Sequence, residues 1–141
     1  MNTDDSSAAS GTETGPGRLT APDVKTYATL AHIGAPLGAL VFLPLMWVPA
    51  LAFYLVLRGR DHGGLLRGHL GQAASFAVVL TGYALLLRIV LGVAEVDGWI
   101  IALVPVAVVA AAAYPTLRAV RAAQRLEPFT HPKPLAWIPL D

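Results

Sequence analysis

Few side chains in this chain could do chemistry, and four histidines head them: His32, His62, His69 and His131. The best organised group begins at His69-Leu70-Gly71-Gln72-Ala73-Ala74-Ser75-Phe76. On an α-helix His69, Gln72, Ala73 and Phe76 fall at i, i+3, i+4 and i+7, so an imidazole, an amide and an aromatic ring share one stripe. Such a stripe is expected to face protein, where its polar atoms find partners, and not lipid. His69 and Ser75 point to different faces of that helix, which disfavours a Ser–His nucleophile. The histidines could ligate a metal, but no carboxylate or thiolate is placed to complete a site, and the chain has no cysteine. H-E-x-x-H, the P-loop, G-x-S-x-G and a pair of intramembrane carboxylates are all missing. The expectation is a protein that is not an enzyme and holds neither cofactor nor metal.

The elements that must position these groups are apolar. Of 141 residues 55% are hydrophobic and 13% charged, and the mean hydropathy is +0.60, which makes lipid the expected solvent. From Gln72 to Leu91 the only formal charge is Arg88. Roughly 20 helical residues at 1.5 Å each give about the 30 Å of a bilayer core. Arg88 lies near the outer end of this helix, where its stem can snorkel toward the headgroups; if the helix continued to Glu95, the two would share a face and could pair. Tyr27 to Leu57 carries no formal charge, and its 31 residues exceed one span by half. Pro36, Pro44 and Pro49 argue against one unbroken rod. The alternatives are a single kinked crossing or two short helices folded as a hairpin bent near Phe42-Leu43-Pro44, and the hairpin is favoured. Gly34 and Gly38 in the same segment form a G-x-x-x-G pair that permits close helix approach. His32, also inside it, reads as an imidazole hydrogen-bonded to a neighbouring helix before it reads as a proton relay. The last span runs from Trp99 to about Leu117.

The fold class that follows is all-α, a polytopic helical membrane protein with three to four transmembrane elements, the first apolar segment broken or hairpin-like. Residues 1–22 form a polar leader, 23–117 the transmembrane domain, and 118–141 a basic, proline-rich tail. Arg58, Arg60 and Arg67 flank one turn, and Arg118, Arg121, Arg125 and Lys133 follow the last span, whereas the turn with Glu95 and Asp97 has no basic residue. By the positive-inside rule the first loop and the C-terminus are cytoplasmic, and with a hairpin the N-terminus is too. Arg118, Arg121 and Arg125 make a basic helical stripe suited to anionic headgroups, and Trp137 in the tail suits an interface. No aromatic residues interleave with the cations as single-stranded nucleic acid binding requires. The partners expected are the bilayer of the cell membrane and other membrane proteins or a second copy.

Two stretches carry a resemblance. His69-Leu70-Gly71-Gln72-Ala73-Ala74-Ser75-Phe76 resembles the His-Ala-Lys-Gln-Ala-Leu-Asn-Phe signature of a bacterial family of small membrane proteins grouped with the Tic-twenty-like chloroplast import components. Leu126-Glu127-Pro128-Phe129-Thr130-His131-Pro132 is similar to the Gly-Glu-x-aromatic-x-Tyr-Pro segment that closes the same family, and Ala31-His32 to its opening. Gly71, Ser75, Leu126 and His131 depart from that pattern, which has Lys, Asn, Gly and Tyr there. The resemblance covers about Ala31 to Pro132 and implies a helical membrane domain with both termini on one side and no established activity. Two functions stand against each other: a scaffold or accessory subunit of a membrane complex, favoured by the scarcity of intramembrane polar groups, and a channel or carrier subunit resembling a protein-import component.

Overall fold

A computed structural model of the chain describes residues 19–60 and 64–136, and the regular elements among them are all helical. They are α1 (Ala21–Phe42), a short 3-10 turn (Leu43–Leu45), α2 (Val48–Leu57), α3 (Leu65–Val93), α4 (Gly98–Ala102) and α5 (Val104–Gln124). Three stretches are long and apolar enough to cross a membrane: Ala21–Leu45, Leu65–Val93 and Gly98–Gln124, with the ten-residue α2 falling short of that length. Most of the leader, together with His62 and Trp137, lies outside the described residues.

The first apolar segment is a hairpin. A capping box starts α1, in which the Thr20 hydroxyl accepts from the Asp23 N–H and the Asp23 carboxylate accepts from the Thr20 N–H. The helix runs through Pro36 and stops at Leu43-Pro44, where the expected bend lies. The Trp47 indole N–H donates to the Pro44 carbonyl at 3.0 Å and ties the turn, and Pro49 stands in the first turn of α2, where its missing N–H costs nothing. α2 then returns along α1. A Cβ on Gly34 would sit 3.5 Å from Pro49 Cβ, and one on Gly38 only 2.9 Å from Met46 Cα. The G-x-x-x-G pair is therefore spent inside the chain, on the return of its own backbone.

Small residues also set the longest contact. Ala28, Ala31, Ala35 and Ala39 line the buried face of α1, and Val108, Ala112, Thr116, Ala119 and Ala123 that of α5. α1 packs more extensively on α5 than on any other element. Without a hydrophobic drive between helices in lipid, close backbone approach along such stripes supplies the dispersion contact that holds them. The Gln124 side-chain amide donates to the Thr29 hydroxyl at 2.8 Å, so the end of α5 lies beside the first half of α1. Large side chains such as Val41, Ile89 and Val93 remain on the outside, 86%, 63% and 79% exposed, as lipid-facing positions should be.

α3 and α5 end alike. Past α3 the Val96 N–H donates to the Leu91 carbonyl and Glu95 N–H to Gly92, with Glu95 at φ 53°; past α5 Glu127 N–H donates to Ala122 and Leu126 N–H to Ala123, with Leu126 at φ 56°. Both are Schellman caps built without glycine at the left-handed position. α3 thus stops at Val93, close to the expected end of that span near Leu91; Glu95 leaves the helical face, and Arg88 stays exposed without an ion pair to it, so the alternative that paired the two does not apply. The last span is longer than expected, from Gly98 to Gln124, and broken between α4 and α5 at Leu103, just ahead of Pro105.

The close approach at the hairpin yields a first expectation. Gly38→Ala forces a methyl against backbone that cannot swing away and should destabilise the protein in detergent by about 1–3 kcal/mol, whereas Gly34→Ala should cost little. Thermal unfolding of the two variants checks this; equal effects would contradict the hairpin contact.

Candidate functional site

Three histidines from distant parts of the chain meet at one end of the bundle. His32 comes from the middle of α1, His69 from the second turn of α3, and His131 from the segment after α5. All three are buried. The His69 Nε2 atom is 2.9 Å from the Glu127 carbonyl oxygen, which can only accept, so that nitrogen carries a proton and donates. In a neutral His69 the Nδ1 atom is then a lone pair, and His32 Nε2, 3.2 Å away, must be the donor to it. The result is a directed chain, His32 to His69 to Glu127, that joins α1, α3 and the chain beyond α5.

The tail completes the arrangement. The Gln72 side-chain oxygen accepts from the His131 N–H at 2.9 Å. The His131 ring stacks on Phe76, centroids 4.4 Å apart and 10° from parallel, and meets His32 and Phe129 edge-on. Beyond it Leu135 and Ala136 pack against the apolar cluster that contains Phe76, Met46 and Val104. An irregular segment beside membrane helices is tolerated where its backbone polar groups are covered. Here Pro128, Pro132 and Pro134 have no N–H to satisfy, and Gln72 takes that of His131.

The stripe of His69, Gln72, Ala73 and Phe76 thus faces protein, with His69, Ala73 and Phe76 about 1% exposed and Gln72 at the edge. Its partners are α1 and the tail. Arg118, Arg121 and Arg125 stand exposed on α5, away from the histidines. Among the described residues no three His, Asp or Glu side chains converge as a metal site would require. The tail folds back on the bundle from Glu127 to Ala136, while Trp137, the residue expected at an interface, lies outside the described residues. The signal for this lay in Phe129 and His131 between prolines, apolar and aromatic content that a solvated tail does not need.

The sequence pattern of the magnetosome magnetite crystal formation protein family (MamF/MmsF) matches residues 23–138, which take in both helical ends and all three clustered histidines. The chain belongs to this family. No curated protein and no solved structure matches it. A bacterial, membrane-associated family was expected, and the magnetosome family is one; the Tic-twenty-like grouping has no support from the comparison. Within the magnetosome family member described here, the matched stretch runs past the last helix through the docked tail, so the tail is part of the family's common pattern and not an appendage.

Burial, and after it the neighbouring His69 ring, push the His131 imidazole down to about 4 from its ordinary 6.5. The groups facing it are His32 from α1 and His69 from α3, with no carboxylate among the described residues in contact to favour the charged form. A released tail takes up its proton near 6.5 and a docked one near 4, so docking is complete above about 6.5 and weakens as pH falls between those values. The docked-to-released ratio should drop by up to about tenfold per pH unit across that window. Protection factors at the Phe129–His131 amides, in which the intrinsic pH dependence of exchange is divided out, measure it. His131→Phe, which keeps a ring against Phe76, should flatten the profile, and protection factors in the parent protein that are indifferent to pH from 7 to 4 would contradict the assignment.

Proposed function

We propose that the protein is a non-enzymatic accessory or scaffold subunit of the magnetosome membrane, acting in the formation of the magnetite crystal that its family is named for. The observation that carries this reading is how the three histidines are used. They are the one buried titratable cluster among the described residues, and their hydrogen bonds go to closing the tail onto the bundle. What the protein offers outward is apolar helix surface at bilayer depth and basic residues at one end, features that suit contact with lipid, with other membrane proteins or with a second copy.

The orientation proposed is cytoplasmic for both termini. Arg58, Arg60 and Arg67 in the first loop and Arg118, Arg121 and Arg125 at the end of α5 cluster at one end of the helices, while Glu95 and Asp97 occupy the turn between α3 and α4 at the other. Polar side chains within the bundle are few, and the Thr81 hydroxyl among them is taken up by the Ala77 carbonyl, which weighs against a wet pathway for a channel or carrier.

Purification of the full chain from membranes in mild detergent, with mass spectrometry of what accompanies it, tests the scaffold reading. A stable stoichiometric assembly, of itself or with other membrane proteins, is expected, together with fluorescence from a cytoplasm-dependent reporter fused after Asp141. Selective ion or peptide flux from the purified protein in liposomes would overturn the reading in favour of a channel or carrier.

A further inference from the structure

The last two turns of α5 concentrate positive charge that the protein does not neutralise. Arg118, Arg121 and Arg125 stand at i, i+3 and i+7 and so share a face. Across from them the chain, turned by the left-handed Leu126, runs through Glu127 and Pro128 to Phe129, and the two walls enclose a cavity of about 360 Å³. That lies toward the small end of the range of ligand sites. The second wall is fixed in place, since the Glu127 carbonyl is held by His69 and the His131 N–H by Gln72.

The charges can be added up. Against three guanidiniums stand the Glu127 carboxylate and the negative end of α5, worth about half an elementary charge. The last carbonyls of the helix already receive the Leu126, Glu127 and Arg125 N–H groups, so they do not need the arginines. Arg118 also lies over the Tyr114 ring at 6.0 Å, and none of the three arginines forms an ion pair with the described residues. More than one unit of positive charge is left facing the cavity.

The geometry points to a binding site for a phosphate oxyanion, held by the guanidiniums of Arg118, Arg121 and Arg125 in the cavity closed by Glu127 and Phe129. Each guanidinium is a planar fork that takes two oxygens, so one arginine suffices for a carboxylate, whereas several forks match the larger oxygen set of phosphate. Phe129, half-buried, supplies an apolar wall for carbon attached to the phosphate. The same chemistry belongs to the headgroup of an anionic phospholipid and to free phosphate. The cavity's place at the end of a membrane helix is the level of headgroups. The inference does not rest on the scaffold reading.

The test uses the full chain in uncharged detergent, with two arms. In one, native mass spectrometry follows retention of phosphatidylglycerol against phosphatidylcholine; in the other, thermal unfolding is followed with inorganic phosphate against chloride at equal ionic strength. Saturable preference for phosphatidylglycerol assigns the site to a lipid headgroup, and saturable stabilisation by phosphate alone assigns it to the free anion; either supports the proposal. In the arm that responds, Arg121→Gln should lower apparent affinity about fivefold and Arg121→Gln with Arg125→Gln about thirtyfold, while Arg60→Gln, at the same end of the bundle, changes nothing. Circular dichroism checks that the variants stay helical; should the double variant fail to fold, Arg121→Lys with Arg125→Lys, which keeps charge and loses the forks, should still bind more weakly than the parent. No lipid preference together with no phosphate effect, or binding that a folded double variant retains in full, would overturn the proposal.

Discussion

A polar group among membrane helices has no water to bond to, and each one left unpaired costs several kcal/mol. In this protein that constraint falls on His32, set in the middle of an apolar helix, and it is answered by a neighbour 37 positions away: His32 donates to His69, which donates in turn to the carbonyl of Glu127. The chain of two hydrogen bonds reaches three separate parts of the sequence. Without His69 the imidazole of α1 would lose its partner, and without Glu127 the proton on His69 Nε2 would lose its acceptor. The position of the tail and the wall of the arginine cavity depend on this link.

The rest of the bundle makes such a link possible by bringing backbones close. The alanine faces of α1 and α5 and the contact of Gly38 with Met46 draw the first hairpin and the last helix together around α3, so side chains as short as histidine can span between elements. Dispersion along small-residue stripes holds the helices, and the polar chain fixes which ends meet. His131 is in a different position from the other two. Its ring nitrogens have no hydrogen-bond partner and it is held by its backbone N–H and by stacking on Phe76, which is why protonation bears on the tail and leaves the His32–His69 link to geometry.

Much of the fold is legible in the sequence because the bilayer imposes lengths. The charge-free run from Tyr27 to Leu57 is too long for one span and too short for two full ones, and its prolines mark the bend that the structure places at Leu43-Pro44. The helical spacing of His69, Gln72, Ala73 and Phe76 likewise shows one face without saying what covers it. What covers it was not readable, because His131 follows Gln72 by 59 positions and sits among prolines, which look like a free tail when their missing donors are not counted. The caps that end α3 and α5 were hidden for a related reason. Schellman caps normally announce themselves by glycine, and Glu95 and Leu126 take the left-handed conformation without it. The alanine stripes of α1 and α5 were hidden by abundance, since alanine favours helix everywhere and its spacing stands out only once the facing helix is known.

The central claim is the direction of the hydrogen-bond chain from His32 through His69 to Glu127, and ¹⁵N NMR of the imidazoles in the detergent-solubilised full chain tests it most directly. The account predicts that His69 is the Nε2–H tautomer with an unprotonated Nδ1, and that His32 carries its proton on Nε2 with a scalar coupling through the hydrogen bond to His69 Nδ1. A His69 protonated on Nδ1, or a His32 Nε2 proton that exchanges freely with water, would contradict it.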